Sequence, residues 1–465
     1  MATIKYPEFA KDRGPGYWLR FNNLWVSRRK IFRSDNSNEW RYSFGESASI
    51  DRSTPFSDLL NPSKSPQNGF RFLILGDTGE GDRSQYGFLP VIRSLKSDFM
   101  IINGDIAYPA GRIKEEDRNN DDYLAGFFEP YRKLDMPIWT VPGNHEYYAN
   151  GQGREYYETF CTRKYARRWS EYGLRLVPQP GTYWELKEPE SNIPLVVIGV
   201  DTGKAGNLDG YRKTRSKLFR SDDKQHAWLE RRLVKADEEG RKVIVLFHIP
   251  ALSRERNIEK IHIQKLHQII ASHNSVRLVI CGHDHNYQGY DHATFARYLD
   301  ENKPHLQSQL CSTEYIVSGG GGAYLTSTDF KLGFWDRLMG KKRYGANILY
   351  PTPQQWTDYA KFGHRVMDRL GMNKTFIGRL VSIKEKDSLS DIDAAQYLNL
   401  LLVEVNTDNP AGDFSIVVTP VFMDNLRELF AHIPDETMLD IQAENLPINQ
   451  IQLDRCVRGE LALKL

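Results

Sequence analysis

The chain has 465 residues, of which 40% are hydrophobic and 26% are charged, so it is long enough to bury a sizeable core. Its net charge of +2 excludes a strongly basic nucleic-acid-binding protein, and we expect no nucleic-acid partner. The four cysteines show no CxxC spacing, which argues against a disulfide framework or a zinc knuckle. We see no signal peptide and no run of ~18 apolar residues, so we expect a cytoplasmic protein.

Residues 1–68 differ in composition from the rest of the chain. The segment starts aromatic and basic ("YWLRFNNLWVSRRKIF") and becomes rich in Ser, Asn and Pro up to "NPSKSPQNG". We interpret it as an N-terminal extension that packs on the core and is joined to it by a flexible link.

Residues 69–328 contain a repeating rhythm of short Ile- and Val-rich runs that each end in Gly, Asp, Asn or His. Continuous apolarity of this kind is typical of strands covered on both faces. The runs are "FRFLILGD", "FMIINGD", "PIWTVPGNH", "PLVVIGVD", "KVIVLFH", "RLVICGHDH" and "EYIVSGGGG".

Helical patterns separate some of these runs. "DDKQHAWLERRLVKADEEG" has a cap at Asp222, an apolar stripe through Trp228, Leu229 and Leu233, and a stop at Gly240. "IEKIHIQKLHQIIASH" is a second helix by the same spacing. Strands alternating with helices predict a layered α/β fold, a β-sheet sandwich flanked by helices.

The C-terminal third adds three further segments. Residues 329–395 are aromatic and helix-prone, so we predict an insertion that caps or flanks the core, with a membrane-surface helix as the less favoured interpretation. Residues 396–424 hold two apolar runs, "YLNLLLVEV" and "FSIVVTPVF", which predict a hairpin that completes a sheet. Residues 425–465 form a C-terminal tail.

Polar side chains follow the predicted strands at the point where each strand ends. Because the carboxyl ends of parallel strands meet in one crevice, we expect these side chains to lie together. Carboxylates, imidazoles, an amide and a phenol suit iron, zinc or manganese, and there are enough for two ions. Each motif alone could be a polar turn, but their ordered repetition favours a functional site. The residues are Asp77, Asp105, Tyr108, Asn144, His145, His248, His283 and His285.

The ordered blocks "GDTG", "GDIAY", "GNHE", "VLFH" and "GHDH" resemble the calcineurin-like metallophosphoesterases, and within them the purple acid phosphatases. The resemblance covers residues 70–325. Most calcineurin-like enzymes carry DxH in the first block, whereas this chain has Gly79 at the third position and Tyr108 after the second-block aspartate. That combination is what marks the purple acid phosphatase branch.

The resemblance implies a dinuclear hydrolase of phosphate esters, a phosphomonoesterase that uses metal-bound hydroxide. It assigns Fe(III) to Asp77, Asp105, Tyr108 and His285. It assigns a divalent ion (Fe, Zn or Mn) to Asn144, His248 and His283, with Asp105 bridging both. His145 would face the phosphate as the catalytic residue, where an imidazole can protonate a leaving alkoxide.

One departure and two alternatives remain. A further histidine of the mammalian-type enzymes is replaced by Asn257, so the second acid is either missing or supplied by Arg254, Arg256 or His262. The same two metals could serve a phosphodiesterase or pyrophosphatase, and a metal-free scaffold is the non-enzyme alternative.

The motif "SGGGGA" lacks the Lys-Ser/Thr of a phosphate loop, so we predict that its backbone approaches the metals closely. No substrate-binding residue, substrate or oligomeric state can be named from the sequence.

Overall fold

The computed structural model describes the core of the chain and parts of its C-terminal third. The described residues are 52–79, 81, 83–86, 88–117, 120–149, 151, 153–189, 193–203, 223–250, 252–253, 261–296, 312–323, 348–349, 398–407, 414–422 and 463–465.

Two sheets organise these residues. The first has eight strands in the order β1-β5-β6-β7-β8-β10-β9-β11, and its neighbours from β6 through β8 to β10 are parallel. Its strands are β1 (Ser53–Thr54), β5 (Trp184–Lys187), β6 (Leu195–Val200), β7 (Lys242–Phe247), β8 (Val276–Cys281), β9 (Tyr287–Tyr290), β10 (Glu314–Ser318) and β11 (Ile348–Leu349).

The second sheet has six strands in the order β14-β13-β12-β2-β3-β4, with β2, β3 and β4 parallel to one another. Its strands are β2 (Phe70–Leu75), β3 (Phe99–Asn103), β4 (Ile138–Val141), β12 (Asn399–Thr407), β13 (Phe414–Phe422) and β14 (Leu463–Lys464). Strands β12 and β13 form an antiparallel hairpin that joins β2, as the apolar runs predicted.

Helices cover the outer faces of the sheets. They are Arg83–Tyr86, Phe88–Ser94, a π-helical turn Leu124–Phe128 that runs into Glu129–Tyr131, Arg154–Phe160, Ala166–Glu171, Asp223–Glu238 and Ile261–Ala271. Trp228, Leu229 and Leu233 are buried on one face of their helix, as the apolar stripe predicted. The helix ends just before Gly240, which adopts the positive φ of 63° that glycine accommodates best.

Three apolar clusters show how the layers pack. Alternate residues of β2 point to opposite sides: Phe72 and Ile74 enter the cluster between the two sheets, whereas Leu73 enters the cluster beneath the helices. Leu246 of β7 meets the inter-sheet cluster from the other sheet. The architecture is therefore a sandwich of two sheets flanked by helices, which confirms the α/β fold class.

Several of the predicted segments are only partly described by the structure. Of the predicted extension 1–68, residues 52–68 are described, and β1 pairs with β5. Of the insertion 329–395, only β11 is described, and it pairs with β9. The short strands β1, β5, β9, β11 and β14 were not predicted. Asp222, Arg254, Arg256, Asn257 and most of the 425–465 tail lie outside the described residues, as does the side chain of His262.

Asn103, the last residue of β3, joins the two sheets where their strands end. Its buried side-chain amide donates to the carbonyl oxygens of Phe247 at 3.3 Å and Ile280 at 3.0 Å, on β7 and β8 of the opposite sheet. Its own carbonyl oxygen accepts from Nδ1 of His248 at 3.0 Å, since a carbonyl can only accept. Asn103 thus links the two sets of strand ends directly.

We expect Asn103→Ala to lower the free energy of unfolding by about 1–3 kcal/mol, because it removes buried hydrogen bonds to carbonyl groups that remain in place. Urea unfolding measures this. Asn61→Ala is the matched control: Asn61 is exposed and accepts only local bonds from Ser63, so its loss should cost no more than about 0.5 kcal/mol. Equal losses in the two variants would contradict the cross-sheet role.

Candidate metal centre

The residues predicted at the strand ends come together between the two sheets. Asp77, Asp105 and the GNHE loop follow β2, β3 and β4, whereas His248 and the GHDH loop follow β7 and β8 of the other sheet. The site therefore lies where the carboxyl ends of both parallel sets meet, not at one sheet alone.

Three of these residues have an unusual backbone. Asp77, Asp105 and His283 have φ values of 58°, 50° and 71°, in the left-handed region that residues other than glycine seldom adopt. Such conformations cost about 1–3 kcal/mol each and concentrate at functional sites, where the surrounding structure holds them. The strain falls on residues that the sequence had singled out for chemistry.

The first group of donor atoms contains Asp77, Asp105 and His285, whose candidate ligand atoms lie within 4.8 Å of one another. Nε2 of His285 is 3.2 Å from Oδ1 of Asp77. The hydroxyl of Tyr108 lies among them, 3.3 Å from Oδ1 of Asp77, 3.3 Å from Oδ2 of Asp105 and 3.1 Å from Nε2 of His285. All four side chains are buried.

The second group contains Asp105, His248 and His283, again within 4.8 Å. Nε2 of His248 is 3.1 Å from Oδ2 of Asp105, and the rings of His248 and His283 meet edge to face at 5.2 Å. Asp105 is the one residue common to both groups, as expected of a bridging carboxylate. Asn144 is buried in the adjoining GNHE loop.

Backbone N–H groups hold one oxygen of each aspartate. The N–H of His283 donates to Oδ2 of Asp77 at 2.7 Å, and the N–H of His145 donates to Oδ1 of Asp105 at 2.8 Å. The other oxygens, Oδ1 of Asp77 and Oδ2 of Asp105, are the ones that face the histidines. Each carboxylate is thus oriented by its neighbour loop before any ion is bound.

Glu146 joins the loops after β3 and β4. Its buried carboxylate accepts from the backbone N–H groups of Asp105, Ile106, Ala107 and Gly143, at distances of 2.7 to 3.1 Å. Burial and the Asp105 carboxylate raise the pKa of Glu146 to about 8. The hydrogen bonds from the backbone N–H groups act in the opposite direction and lower this pKa, but they do not cancel the rise. Sequence reasoning quoted Glu146 within "GNHE" but gave it no role.

Opposite charges balance at the centre of the site. Burial acts to raise the pKa of Asp105, but the imidazoles of His248 and His145 hold it far below its usual range. Burial acts to lower the pKa of His248, but the carboxylates of Asp105 and Asp77 raise it to about 10. An imidazole must lose its proton to bind a metal, so a cation here would replace the proton on His248.

His145 differs from its neighbours in exposure and in its contacts. Its side chain retains 16% of its accessible surface, and its Nε2 is 3.9 Å from Oδ2 of Asp105. Its Nδ1 donates to the carbonyl oxygen of Pro109 at 2.7 Å, which leaves Nε2 as the atom that can exchange a proton. Burial lowers the pKa of His145, and the Asp105 carboxylate opposes that shift. It belongs to neither group of donor atoms described above.

One buried atom indicates that a cation fits here. Among the described residues, Oδ1 of Asn144 is buried and accepts no hydrogen bond. Buried polar atoms are almost always satisfied, so an unsatisfied oxygen beside this site needs a partner. Oxygen and imidazole donors suit iron, zinc and manganese, so the residues present fit the two metals that the sequence predicted.

Gly79 occupies the position of the histidine in DxH, and its surroundings exclude a side chain. A Cβ atom at Gly79 would lie 2.0 Å from the carbonyl oxygen of Ile106. The carbonyl oxygen of Gly79 accepts from the N–H of Tyr108 at 3.0 Å. The loop after β2 and the loop after β3 therefore touch along their backbones, and a histidine cannot replace Gly79 without separating them.

Two further features lie beside the site. Asp201 accepts hydrogen bonds from the hydroxyl of Tyr147 and from the N–H of Gly203, and it belongs to neither group of donor atoms. A Cβ atom at Gly319 of "SGGGGA" would lie 2.7 Å from Oδ2 of Asp77, so the backbone approaches the site closely, as predicted.

Comparison with known proteins shows what the segment around this site is similar to. The sequence model of the calcineurin-like phosphoesterases matches residues 70–287, which contain all the blocks above. The match covers slightly less than half of the chain. The chain is 25% identical over 279 residues to mouse (Mus musculus) tartrate-resistant acid phosphatase type 5, covering 57% of this chain and 76% of that enzyme. The resemblance predicted from the motifs is confirmed, at low identity.

Other similarities are weaker. A probable glycerophosphodiester phosphodiesterase of Arcobacter nitrofigilis is 24% identical over 197 residues, 41% of this chain and 57% of that protein. The solved structure of GAP50, described as the anchor in the inner membrane complex of Plasmodium, is 14% identical. It covers 76% of this chain and 84% of its own, with a TM-score of 0.44.

The phosphoesterase family and the names of these relatives indicate a hydrolase, which confirms the prediction of an enzyme. Phosphate esters are the substrates that the family implies. No helix within the described ranges has the length and apolarity needed to cross a membrane.

We expect Gly79→Ala to destabilise the calcineurin-like domain by about 1–3 kcal/mol and to reduce its metal content, because the added methyl group overpacks against Ile106. Gly240→Ala is the control. It adds a Cβ with nothing within 4 Å, so its cost comes only from the positive φ. Thermal unfolding and elemental analysis compare the two. If Gly79→Ala were as stable as Gly240→Ala and kept its metals, the steric conflict between a Cβ atom at position 79 and Ile106 would be contradicted.

Proposed function

We propose that this chain is a dinuclear metallohydrolase of phosphate esters with purple acid phosphatase-like phosphomonoesterase activity. The observation that carries the proposal is the arrangement of donor atoms in two groups that share Asp105. One shared carboxylate between two clusters is the geometry expected of a paired metal site.

Each metal has a proposed set of ligands. Asp77, Asp105, Tyr108 and His285 would hold Fe(III), which the tyrosine hydroxyl at 3.1 to 3.3 Å from the other three side chains supports. Asp105, Asn144, His248 and His283 would hold a divalent ion, Fe, Zn or Mn. The unsatisfied oxygen of Asn144 and the 3.1 Å distance between Nε2 of His248 and Oδ2 of Asp105 support this second set.

The protein's own residues would prepare the site for hydrolysis. When bound, the metals would supply an activated water and neutralise charge on the phosphoryl group. Asp77 and Asp105, tied by backbone N–H groups, keep their free oxygens oriented at no cost during the reaction. Glu146 holds Asp105 in its left-handed conformation by accepting from three successive N–H groups.

His145 would act on the leaving group. Its Nδ1 is committed to Pro109, so a proton on Nε2 can be given to the departing alkoxide. The ring contacts Tyr108 at 4.2 Å between centroids, which places it beside the proposed iron ligands without making it one. Partial exposure allows a substrate to reach it.

Phosphodiester hydrolysis is the second candidate function. The probable glycerophosphodiester phosphodiesterase similar to this chain is the observation in its favour. The same metals can attack either ester, and substrate choice depends on surrounding loops. Rates on a panel of phosphomonoesters, phosphodiesters and pyrophosphate separate the two, with the monoesters expected to be fastest.

Metal content and colour test the ligand assignment. We expect two metals per chain, one of them iron, after reconstitution with iron plus zinc or manganese. A phenolate ligand on Fe(III) should give a broad visible charge-transfer band, and Tyr108→Phe should remove the band while the fold persists. Tyr123→Phe, which changes a buried tyrosine outside the two groups, is the control and should keep the colour. A wild-type protein that binds ferric iron without colour would refute the phenolate assignment.

Leaving-group dependence tests His145. We expect His145→Ala to retain both metals and to lose rate by about 10²–10⁴-fold on alkyl phosphates, whose alkoxide needs a proton. Activated aryl phosphates should lose least, because their phenolate departs without help. His292→Ala alters an exposed histidine and should leave the rates unchanged. Loss of a metal, or an equal loss of rate on both substrate types, would show that His145 is not the acid.

A further inference from the structure

Tyr148 closes the GNHE loop directly beside the proposed ligand Asn144. It follows the 3-10 turn His145–Tyr147, and its backbone N–H donates to the carbonyl oxygen of His145 at 3.1 Å. Its side-chain hydroxyl accepts a hydrogen bond from Nδ2 of Asn144 at 2.8 Å. Asn144 and Tyr148 are the residues that flank this turn, both with α-helical backbone angles, and their side chains meet beside it.

This hydrogen bond decides which end of the Asn144 amide faces the site. An amide presents an oxygen acceptor at one end and an NH₂ donor at the other, and only the oxygen can bind a cation. The Tyr148 hydroxyl occupies the NH₂ end. The oxygen is left buried and makes no hydrogen bond within the described part of the chain.

The ring of Tyr148 makes a separate contact. Its centroid lies 4.7 Å from that of the His145 imidazole, which Tyr108 contacts at 4.2 Å. Ring and hydroxyl thus act on different neighbours, and a change of tyrosine to phenylalanine removes one contact while it keeps the other. That separation makes the role of the hydroxyl testable by itself.

We propose that Tyr148 is a positioning residue for the divalent metal: its hydroxyl fixes the Asn144 amide with the oxygen toward the ion. The inference rests on the proposed dinuclear function. Without the hydroxyl, the amide can turn and present NH₂ to the cation, which repels it. Groups that orient a metal ligand in this way change metal affinity by about 10- to 100-fold when they are removed.

The experiment is a Zn²⁺ titration of the iron-loaded protein against a competing chelator. Tyr148→Phe should weaken Zn²⁺ binding by about 10-fold or more. The visible band assigned to Tyr108 on iron should stay unchanged, because the Tyr148 hydroxyl accepts from Asn144, which is not among the proposed iron ligands. Folding is monitored by the same band and by thermal unfolding.

Tyr147→Phe is the matched control from the preceding position. It also removes one hydroxyl from the same turn, but that hydroxyl donates to Asp201, away from Asn144. Its Zn²⁺ affinity should remain within about 3-fold of wild type, the spread expected of a change that leaves ligand orientation intact. Equal weakening by both variants would overturn the proposal, since a general loosening of the loop would then explain it.

An Asn144→Asp background gives the sharper test. A carboxylate has oxygen at both ends, so its orientation no longer decides whether the metal meets a ligand atom. Tyr148→Phe should therefore cost far less Zn²⁺ affinity in this background than in wild type, and the difference is the coupling between the two residues. A cost that is the same in both backgrounds would overturn the orienting role.

Failure of the two proposals can be told apart. If wild type binds iron and Zn²⁺ but Tyr148→Phe binds Zn²⁺ as tightly, the positioning role is wrong and the dinuclear function stands. If wild type binds no second metal under any loading, both proposals fall together.

Discussion

The hydrogen bonds of Asn103 are the interaction on which this site depends. The candidate ligands come from two sheets, and no pairing among the described strands connects those sheets where the ligands meet. Asn103 links them by donating from one strand end to the carbonyl groups that close β7 and β8. The N–H groups of Gly321 and Ala323 add a second link, to the carbonyl oxygens of Gly76 and Asp77. The carbonyl of Asn103 also orients His248 through Nδ1, which directs Nε2 to Asp105. The same residue therefore links the sheets and orients a candidate ligand.

Charge and backbone strain are balanced in the same few residues. Asp77, Asp105 and His283 are held in left-handed conformations by their N–H groups. His283 donates to the carboxylate of Asp77 and Asp105 donates to that of Glu146, whereas Asp77 donates to the carbonyl oxygen of Gly104. Burial of His248 acts to lower its pKa, but the negative charges of Asp105 and Asp77 outweigh this effect. The pKa of His248 is raised to about 10 as a result. A site that draws a proton this strongly is also one that favours a metal cation.

The sequence predicts the strand ends well because their signal is local. Each buried strand is a continuous apolar run, and the polar residue that follows it is visible without knowledge of tertiary structure, which located Asp77, Asp105 and His248. The roles of Asn103 and Glu146 were not predictable in this way, since all their partners except Gly143 lie 39 to 177 residues away. For Tyr148 the only signal in the sequence was its spacing of four residues from Asn144, and that spacing is not specific to a positioning role.

The pairing of Gly79 with Tyr108 has a physical explanation in the backbone. Sequence comparison alone says that a histidine is exchanged for a tyrosine in another loop. The structure shows that the N–H of Tyr108 donates to the carbonyl oxygen of Gly79, and that Ile106 leaves no room for a Cβ there. The close contact that excludes a side chain at Gly79 is the one that brings the phenol within 3.3 Å of Asp77. The contact therefore requires glycine at position 79, and the glycine is the steric condition for the position of the tyrosine.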